Sequence, residues 1–321
     1  MTRFNVGHSL SHATLSRNSS RASPDDGVYS PSAMTITPNA VLITGASTGI
    51  GAACALYLDA RRVRVFAGIR NQADGDALRA KSSSRLTPVV IDVTDRASIV
   101  AAAHTIQSLV GEAGLGGLVN NAGIAVGGPL EVLPLEQIRR QFEVNVIGVV
   151  AVTQAFLPLL RLGCGRIVNM GSIAGRVPLP FVGPYSMSKS ALDAMTTALR
   201  LELDSAGISV SLIEPGAIAT PIWRKSNEAA DVLQTTVHHD AWPLYSEHID
   251  CIRRVVAEAE QQAISADVVA RAVEHALTAR RPKLRYLVGT DAKIRAGIAA
   301  LLPQRAQDAL HRWFFKLPPR R

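Results

Sequence analysis

The sequence predicts an α/β fold, a single doubly wound parallel sheet of about seven strands flanked by helices. Three observations carry this. Short apolar runs alternate with longer segments of helical period, the pattern of repeated strand–helix–strand units. A glycine-rich turn, Gly45 to Gly51, directly follows the first run. The polar and glycine residues that suggest chemistry recur at the carboxyl ends of the runs, where ligands gather in parallel sheets.

The first run, Val41–Ile43, reads as a buried strand. It passes into Thr44-Gly45-Ala46-Ser47-Thr48-Gly49-Ile50-Gly51 and then a helical stretch with Ala53, Leu56 and Leu58. Strand, glycine turn and helix point backbone N–H groups and a positive helix end at a phosphate. Gly45, Ser47, Thr48, Gly49, Ile50 and Gly51 are therefore candidate cofactor-binding residues, and the sheet is of Rossmann type. The second strand, Val63–Ala67, leads to Ile69 and Arg70. Folds that bind NAD place an acid near here, on the ribose 2′-hydroxyl. A guanidinium at Arg70 suits a 2′-phosphate instead, so NADP(H) is preferred and NAD(H) is the second choice.

Val89–Ile91 is the third strand and ends at Asp92-Val93, with a helix over Arg96–Val110. Gly117–Val119 is the fourth and runs into Asn120-Asn121-Ala122-Gly123. Residues 144–160 are strongly apolar. Asn145, Thr153, Gln154 and Pro158 interrupt them, and a membrane span needs about twenty apolar residues, so a buried core helix is predicted. The fifth strand, Arg166–Met170, leads to Ser172.

A loop with Pro178, Pro180, Gly183 and Pro184 follows, then a helix through Ala191, Leu192, Met195, Leu199 and Leu203, ended by Gly207. Tyr185 sits in its first turn. Lys189, four residues on, shares its face. An ammonium beside a phenol predicts a lowered tyrosine pKa, which suits proton transfer near neutral pH. Ile208–Ile213, ending at Glu214-Pro215-Gly216, is the sixth strand and Leu284–Val288 the seventh.

Among the 321 residues 47% are apolar, enough for a sizeable core. Cys54, Cys164 and Cys251 have no metal-ligand spacing, and His238-His239 has no partner cluster, so no metal is expected. Free thiols fit a reducing compartment. The net charge of +8 is concentrated: eleven lysines and arginines fall in residues 280–321, against Asp291 and Asp308. The body is then slightly acidic, which argues against nucleic-acid binding. Residues 1–37 are polar, without hydrophobic periodicity or an apolar leader core, and read as a disordered extension in which organellar transit is an alternative role. Near the end, Leu302, Ala306, Leu310, Trp313 and Phe314 make an apolar stripe beside Arg305, Arg312 and Lys316. Packing on the body is the first reading of that stripe, and peripheral contact with an anionic membrane the second.

Taken together, the chain resembles the short-chain dehydrogenase/reductase family, on the side of its retinol- and hydroxysteroid-dehydrogenase-like members. Thr44–Gly51 matches its Thr-Gly-x-x-x-Gly-x-Gly motif, Asn120–Gly123 its Asn-Asn-Ala-Gly, and Ser172, Tyr185 and Lys189 its catalytic set. Pro215-Gly216 with Thr220 matches the nicotinamide-side loop, and Asn145 falls where the family has a fourth catalytic residue. The resemblance covers residues 38–290, with a substrate lid near 221–263, and leaves 291–321 as a basic tail.

The resemblance implies an oxidoreductase that interconverts an alcohol and a ketone or aldehyde. In it Tyr185 is the general acid or base, and Lys189 tunes it and holds the nicotinamide ribose. Ser172 binds the substrate oxygen, and Asn145 positions a water leading from Lys189 to solvent. Asp92 and Val93 resemble the adenine-contacting pair; Asn120, Ala122 and Gly123 lie along the cofactor; Ile218 and Thr220 meet the carboxamide. The expected substrate walls, Ile124, Val126, Ile173, Val177, Phe181 and Trp223, are mostly apolar and favour a lipophilic substrate. A cytoplasmic homodimer or homotetramer is expected. A non-catalytic NADP(H)-binding regulator or scaffold is the alternative, although such proteins generally lose the tyrosine or the lysine.

Overall fold

The computed structural model describes residues 38–236 and 240–314. The expectations for residues 1–37, for His238 and His239, and for the tail from Phe315 onward lie outside the described residues. Seven strands form one sheet: β1 (Ala40–Ile43), β2 (Arg64–Ile69), β3 (Leu86–Val90), β4 (Gly117–Asn120), β5 (Arg166–Met170), β6 (Val210–Pro215) and β7 (Arg285–Val288). Their order is β3-β2-β1-β4-β5-β6-β7 and every neighbouring pair is parallel. Every residue of β1, β4, β5 and β6 is buried. Strands covered on both faces read as continuous apolar runs, which is why they stand out in the sequence.

The helices are α1 (Gly49–Ala60), α2 (Gln72–Arg79), α3 (Arg96–Val110), α4 (Leu135–Phe142), α5 (Gly148–Leu162), α6 (Gly183–Glu202), α7 (Ile222–Thr236), α8 (Trp242–Gln261), α9 (Ala266–Thr278), α10 (Thr290–Leu301) and α11 (Gln304–Phe314). One core layer joins Leu42, Phe66, Leu118 and Ile167 of the sheet to Ile106 of α3 and Val152, Phe156 and Leu160 of α5. Between α4 and α5 the chain makes a wide π-turn, Glu143–Ile147, so Leu135–Leu162 is one continuous helical run. At 28 residues, with an 18-residue stretch of mean hydropathy 1.7, it would suffice to cross a membrane by length and composition. Its inward face, however, is packed in the core, as the polar interruptions predict.

Strand order reverses between β1 and β4. Their carboxyl ends open a crevice at that switch point, and the two motif loops leave from it. Helices α7 and α8 occupy the segment between β6 and α9 where a lid is expected. Residues expected in the tail form α10, whose Ala292 and Ala296 are buried against Ile173 and Val177. Ala306, Gln307, Leu310 and His311 of α11 are half-buried. Gln307 Nε2 donates to the carbonyls of Ala299 (3.1 Å) and Leu302 (2.8 Å). Trp313 leaves this stripe and is 76% exposed.

Candidate active site

The glycine loop and the β4 loop are bound to each other. Thr44 Oγ1 accepts from the N–H groups of Asn121 and Ala122, both at 3.0 Å. Asn121 Nδ2 donates back to the carbonyls of Thr44 (2.9 Å) and Gly45 (3.1 Å). Gly45 has φ +63°, and a Cβ there would stand 2.7 Å from Ala122 Cα. A side chain at Gly51 would meet the Gly45 carbonyl oxygen at 2.3 Å. Close packing therefore dictates both glycines, and conformation dictates Gly45 as well. Asn121 was not among the predicted site residues, yet it is the clamp; its place in the Asn-Asn repeat was the available signal.

The start of α1 fits an anion. Thr48 occupies the N-cap position without a side-chain capping bond, so the first-turn N–H groups are left to a ligand or to water. Ser47 and Ile50 are half-buried and Thr48 is exposed around them. Gly49, at φ +59°, lies against Thr220: a Cβ there would be 3.3 Å from Thr220 Cβ. Arg70 is exposed at the end of β2 and makes no ion pair among the described residues. Its charge helps hold the Asp92 carboxyl low, after the larger effect of the two bonds that Asp92 accepts from Thr94 N (2.8 Å) and Thr94 Oγ1 (2.7 Å). Val93 is buried beside it. Ile69, by contrast, is buried in the core at 1% exposure, so only Arg70 of that pair can face a ribose. A phosphate-binding helix end, an open cation at the second strand and a carboxylate at the third fit a dinucleotide.

Asn120 departs from the expectation. Its side chain is buried, with Nδ2 donating to Thr153 Oγ1 (3.0 Å) and Asn169 Oδ1 (2.9 Å). It braces β4 against β5 and α5 through Nδ2, while its buried Oδ1 has no partner among the described residues. Gly123 stays near the site, where an added Cβ would reach Asn145 Oδ1 at 3.4 Å. On the opposite wall, Gly216 is pressed against Asp291, whose Oδ2 accepts from Ala217 N at 2.9 Å. Ile218 pairs with Ile264. Asp291, at the start of α10, thus fixes the Pro215–Thr220 loop from 74 residues away.

Ser172, Tyr185 and Lys189 are brought together as predicted by spacing. Ser172 Oγ accepts from Ala174 N (3.1 Å), which leaves its O–H to the Tyr185 phenol, where it favours the phenolate. Lys189 Nζ lies 5.6 Å from the centre of the Tyr185 ring and donates to the Met170 carbonyl at 2.6 Å. The predicted lowering of the tyrosine pKa is not what the structure gives. Burial raises it, and Ser172 offsets only part of that rise. The same burial pushes the Lys189 ammonium down to about 8. The lysine head is turned to Met170 rather than to the phenol oxygen, so desolvation outweighs charge attraction.

Asn145 sits inside the π-turn, buried. Its Oδ1 accepts from Ile124 N (2.9 Å), and Nδ2 donates to Ile124 O (3.0 Å) and Ser188 Oγ (3.1 Å). Gln141 backs it up, accepting from Val126 N (2.7 Å) and donating to Ile124 O (2.8 Å). Gln141 was missed by the sequence reading.

The apolar surroundings of Tyr185 are Ala125, Ala174 and Val182, with Leu179, Ile222 and Trp223 packed against them. Trp223 meets the Tyr185 ring edge-on, with centroids 5.5 Å apart. Four expected walls, Ile124, Val126, Ile173 and Val177, are corrected. Ile124 turns away with Val126 onto Leu133, because alternate side chains of that segment point opposite ways and Ala125 is the one facing Tyr185. Val177 packs with Ile173 on Ala292 and Ala296 instead. Phe181 reaches α8: its ring lies 6.0 and 5.9 Å, centre to centre, from those of Tyr245 and His248. Its φ of +64° is a left-handed conformation that costs a non-glycine residue roughly 1–2 kcal/mol. Among the described residues no cluster of metal-ligating side chains occurs.

Comparison with known proteins places this arrangement. A family model described as short chain dehydrogenase matches residues 39–231. Retinol dehydrogenase 16 of Homo sapiens is 36% identical over 283 residues, covering 87% of this chain and 89% of the relative. An NADPH-dependent 3-dehydrocapnine reductase of Ornithobacterium rhinotracheale is 35% identical over 274 residues, covering 84% and 94%. Among solved structures, a short chain dehydrogenase from Burkholderia cenocepacia in complex with NADP superposes with a TM-score of 0.65. It is 28% identical, with 87% of this chain and 98% of that one covered.

Proposed function

The chain belongs to the short-chain dehydrogenases, and from that membership we propose an NADP(H)-dependent enzyme that interconverts a lipophilic alcohol and its ketone or aldehyde, with Tyr185 as general acid and base. Oxidoreductase chemistry on CH–OH groups comes with the family. The observation that carries the finer reading is the buried Tyr185 phenol, which meets the Ser172 hydroxyl, has the Lys189 ammonium over its ring and is faced by an apolar shell.

When bound, the nicotinamide supplies or accepts the hydride. The rest falls to the chain's own residues. Ser172 donates to the substrate oxygen and holds the charge that develops on it. Tyr185 passes the proton to or from that oxygen, a contribution typically worth ~10²–10⁴-fold. Lys189, when charged, favours the phenolate that remains after donation. Asn145 has one Oδ1 lone pair left for a water leading from Lys189 to solvent.

The α1 start, with Gly45, Ser47, Thr48, Gly49, Ile50 and Gly51, would hold the pyrophosphate, and Arg70 a 2′-phosphate. Asp92 and Val93 would flank the adenine. The backbone of Asn120, Ala122 and Gly123 would lie along the cofactor, with Tyr185 and Lys189 at its ribose. Pro215, Gly216, Ile218 and Thr220 would meet its carboxamide. NADPH in the name of one relative and NADP in one neighbour support the cofactor choice. The apolar shell of Tyr185, and relatives named for retinol, support a lipophilic substrate.

Three further parts of the proposal rest on surface features. Exposed Leu135, Ile147 and Leu162 along α4 and α5 support a homodimer or homotetramer. Free Cys54, Cys164 and Cys251 support a cytoplasmic, reducing location. Exposed Leu301 and Trp313 beside Arg305 and Arg312 support peripheral contact with an anionic membrane. The decisive experiment for the central reading is a screen of lipophilic alcohols and ketones with purified full-length protein and both cofactors. Turnover favouring NADP(H) is expected, and no turnover of any member would overturn it.

A further inference from the structure

We propose that Ser226 is a specificity-determining residue, and that the substrate carries a second oxygen, remote from the reacting carbon, which hydrogen-bonds to it. The proposal rests on the lipophilic-substrate reading above and adds a polar requirement to it.

Trp223, Ser226, Asn227 and Ala230 recur at intervals of three, one and three along α7, so they share one face. That face looks into a cavity of about 50 Å³ lined also by Phe181 and by Ile252 of α8. Trp223, at its near end, touches the Tyr185 ring. Ser226 stands one turn further along the same helix, about 4.5 Å deeper by helical rise.

Ser226 is only 5% exposed, and its hydroxyl has no hydrogen-bond partner among the described residues. The hydroxyl opens onto the cavity, so its hydrogen-bonding capacity is left to water or to a ligand. Ser226 does not even bond back to the carbonyl one turn earlier, as Thr153 and Thr196 do at 2.7 Å. Its Oγ faces Gly127, where a Cβ would approach to 3.3 Å. The glycine therefore keeps the space open.

The remaining walls are largely apolar. Arg253, the charged residue there, is engaged by Asp231. The space suits a small terminal group rather than a whole lipophilic molecule. A hydroxyl both donates and accepts, so a distal hydroxyl or keto oxygen would satisfy Ser226.

The test uses full-length protein with 2-alkanones of graded chain length, each paired with its ω-hydroxy counterpart. Two readouts are taken. One is NADPH-dependent turnover. The other is quenching of tryptophan fluorescence, which reports binding without turnover because Trp223 and Trp242 both line the cavity. At one chain length the ω-hydroxy ketone should have a KM and Kd about 5- to 10-fold lower than the plain ketone. Ser226→Ala should erase that advantage and leave kcat and the plain ketone unchanged.

If ketones turn over but no length shows the preference, this inference fails and the dehydrogenase reading stands. If nothing turns over yet the preference appears in binding and vanishes in Ser226→Ala, the inference stands and the proposed reaction fails. Equal binding of both series, no binding of either, or equal weakening of both by Ser226→Ala, as a water-filled structural cavity would give, overturns it.

Discussion

The Lys189 ammonium is bonded to the Met170 carbonyl at 2.6 Å and lies over the Tyr185 ring rather than at its oxygen. The two groups are thus titrated apart. Burial raises the phenol and lowers the ammonium to about 8. In the reductive direction the phenol must be protonated, and it stays so through neutral pH. Lys189 loses its charge as pH rises through about 8. Reductive kcat/KM should therefore be flat below about pH 7 and fall through an apparent pKa near 8, while oxidation, which needs the phenolate, should gain with alkalinity. A reductive profile that climbs through pH 8 would contradict this assignment.

Arg70 should choose the cofactor alone, since Ile69 is sealed in the core. Arg70→Ala is expected to raise the KM for NADPH by about 10- to 100-fold, the range of a charge-assisted bond, and to leave the KM for NADH nearly unchanged. Equal loss toward both cofactors in steady-state kinetics would remove the 2′-phosphate role. Introducing an acid at Ile69 is the wrong switch, because it would bury a carboxylate.

What the sequence made legible follows from how local the signals are. The β1 strand and its glycine loop are contiguous, and Tyr185 and Lys189 are four residues apart on one helix, so period and spacing suffice for both. The parity of Ile124-Ala125-Val126 is decided by Asn145 and Gln141 gripping the backbone from 15 to 21 residues away. Composition favours the larger residues and so points to the wrong pair. Asp291 and Ser226 were invisible for a similar reason: their meaning arises only when Ala217 and Gly127 are folded against them. The sign of the Tyr185 shift was missed because burial is a tertiary quantity, whereas the neighbouring lysine is plain in the chain.

Asp291 should prove a positioning residue for the Pro215–Thr220 loop. Asp291→Ala leaves Ala217 N unpaired and should cost about 1.5–3 kcal/mol of stability, with weaker NADPH binding in a titration. Asp291→Asn, which keeps an acceptor, should lose less of both. Wild-type melting and wild-type NADPH affinity in Asp291→Ala would show that the contact is idle.

The helix α11 offers a test of its two faces. Its inner face is bonded to α10 through Gln307, so deleting residues 303–321 should lower the melting temperature. Trp313, with Arg305 and Arg312, should bring full-length protein down with anionic liposomes at low salt, and added salt should release it. Full-length protein that remains in the supernatant at low salt would limit α11 to packing.

Tyr185→Phe tests the central claim most directly. The variant keeps the ring against Trp223 and removes only the hydroxyl, so the fold and the affinity for NADPH should survive. Its kcat for any lipophilic alcohol or ketone that the wild type turns over should fall by at least ~10²-fold. Turnover near the wild-type rate, with the variant folded and binding NADPH normally, would show that Tyr185 is not the proton-transfer residue.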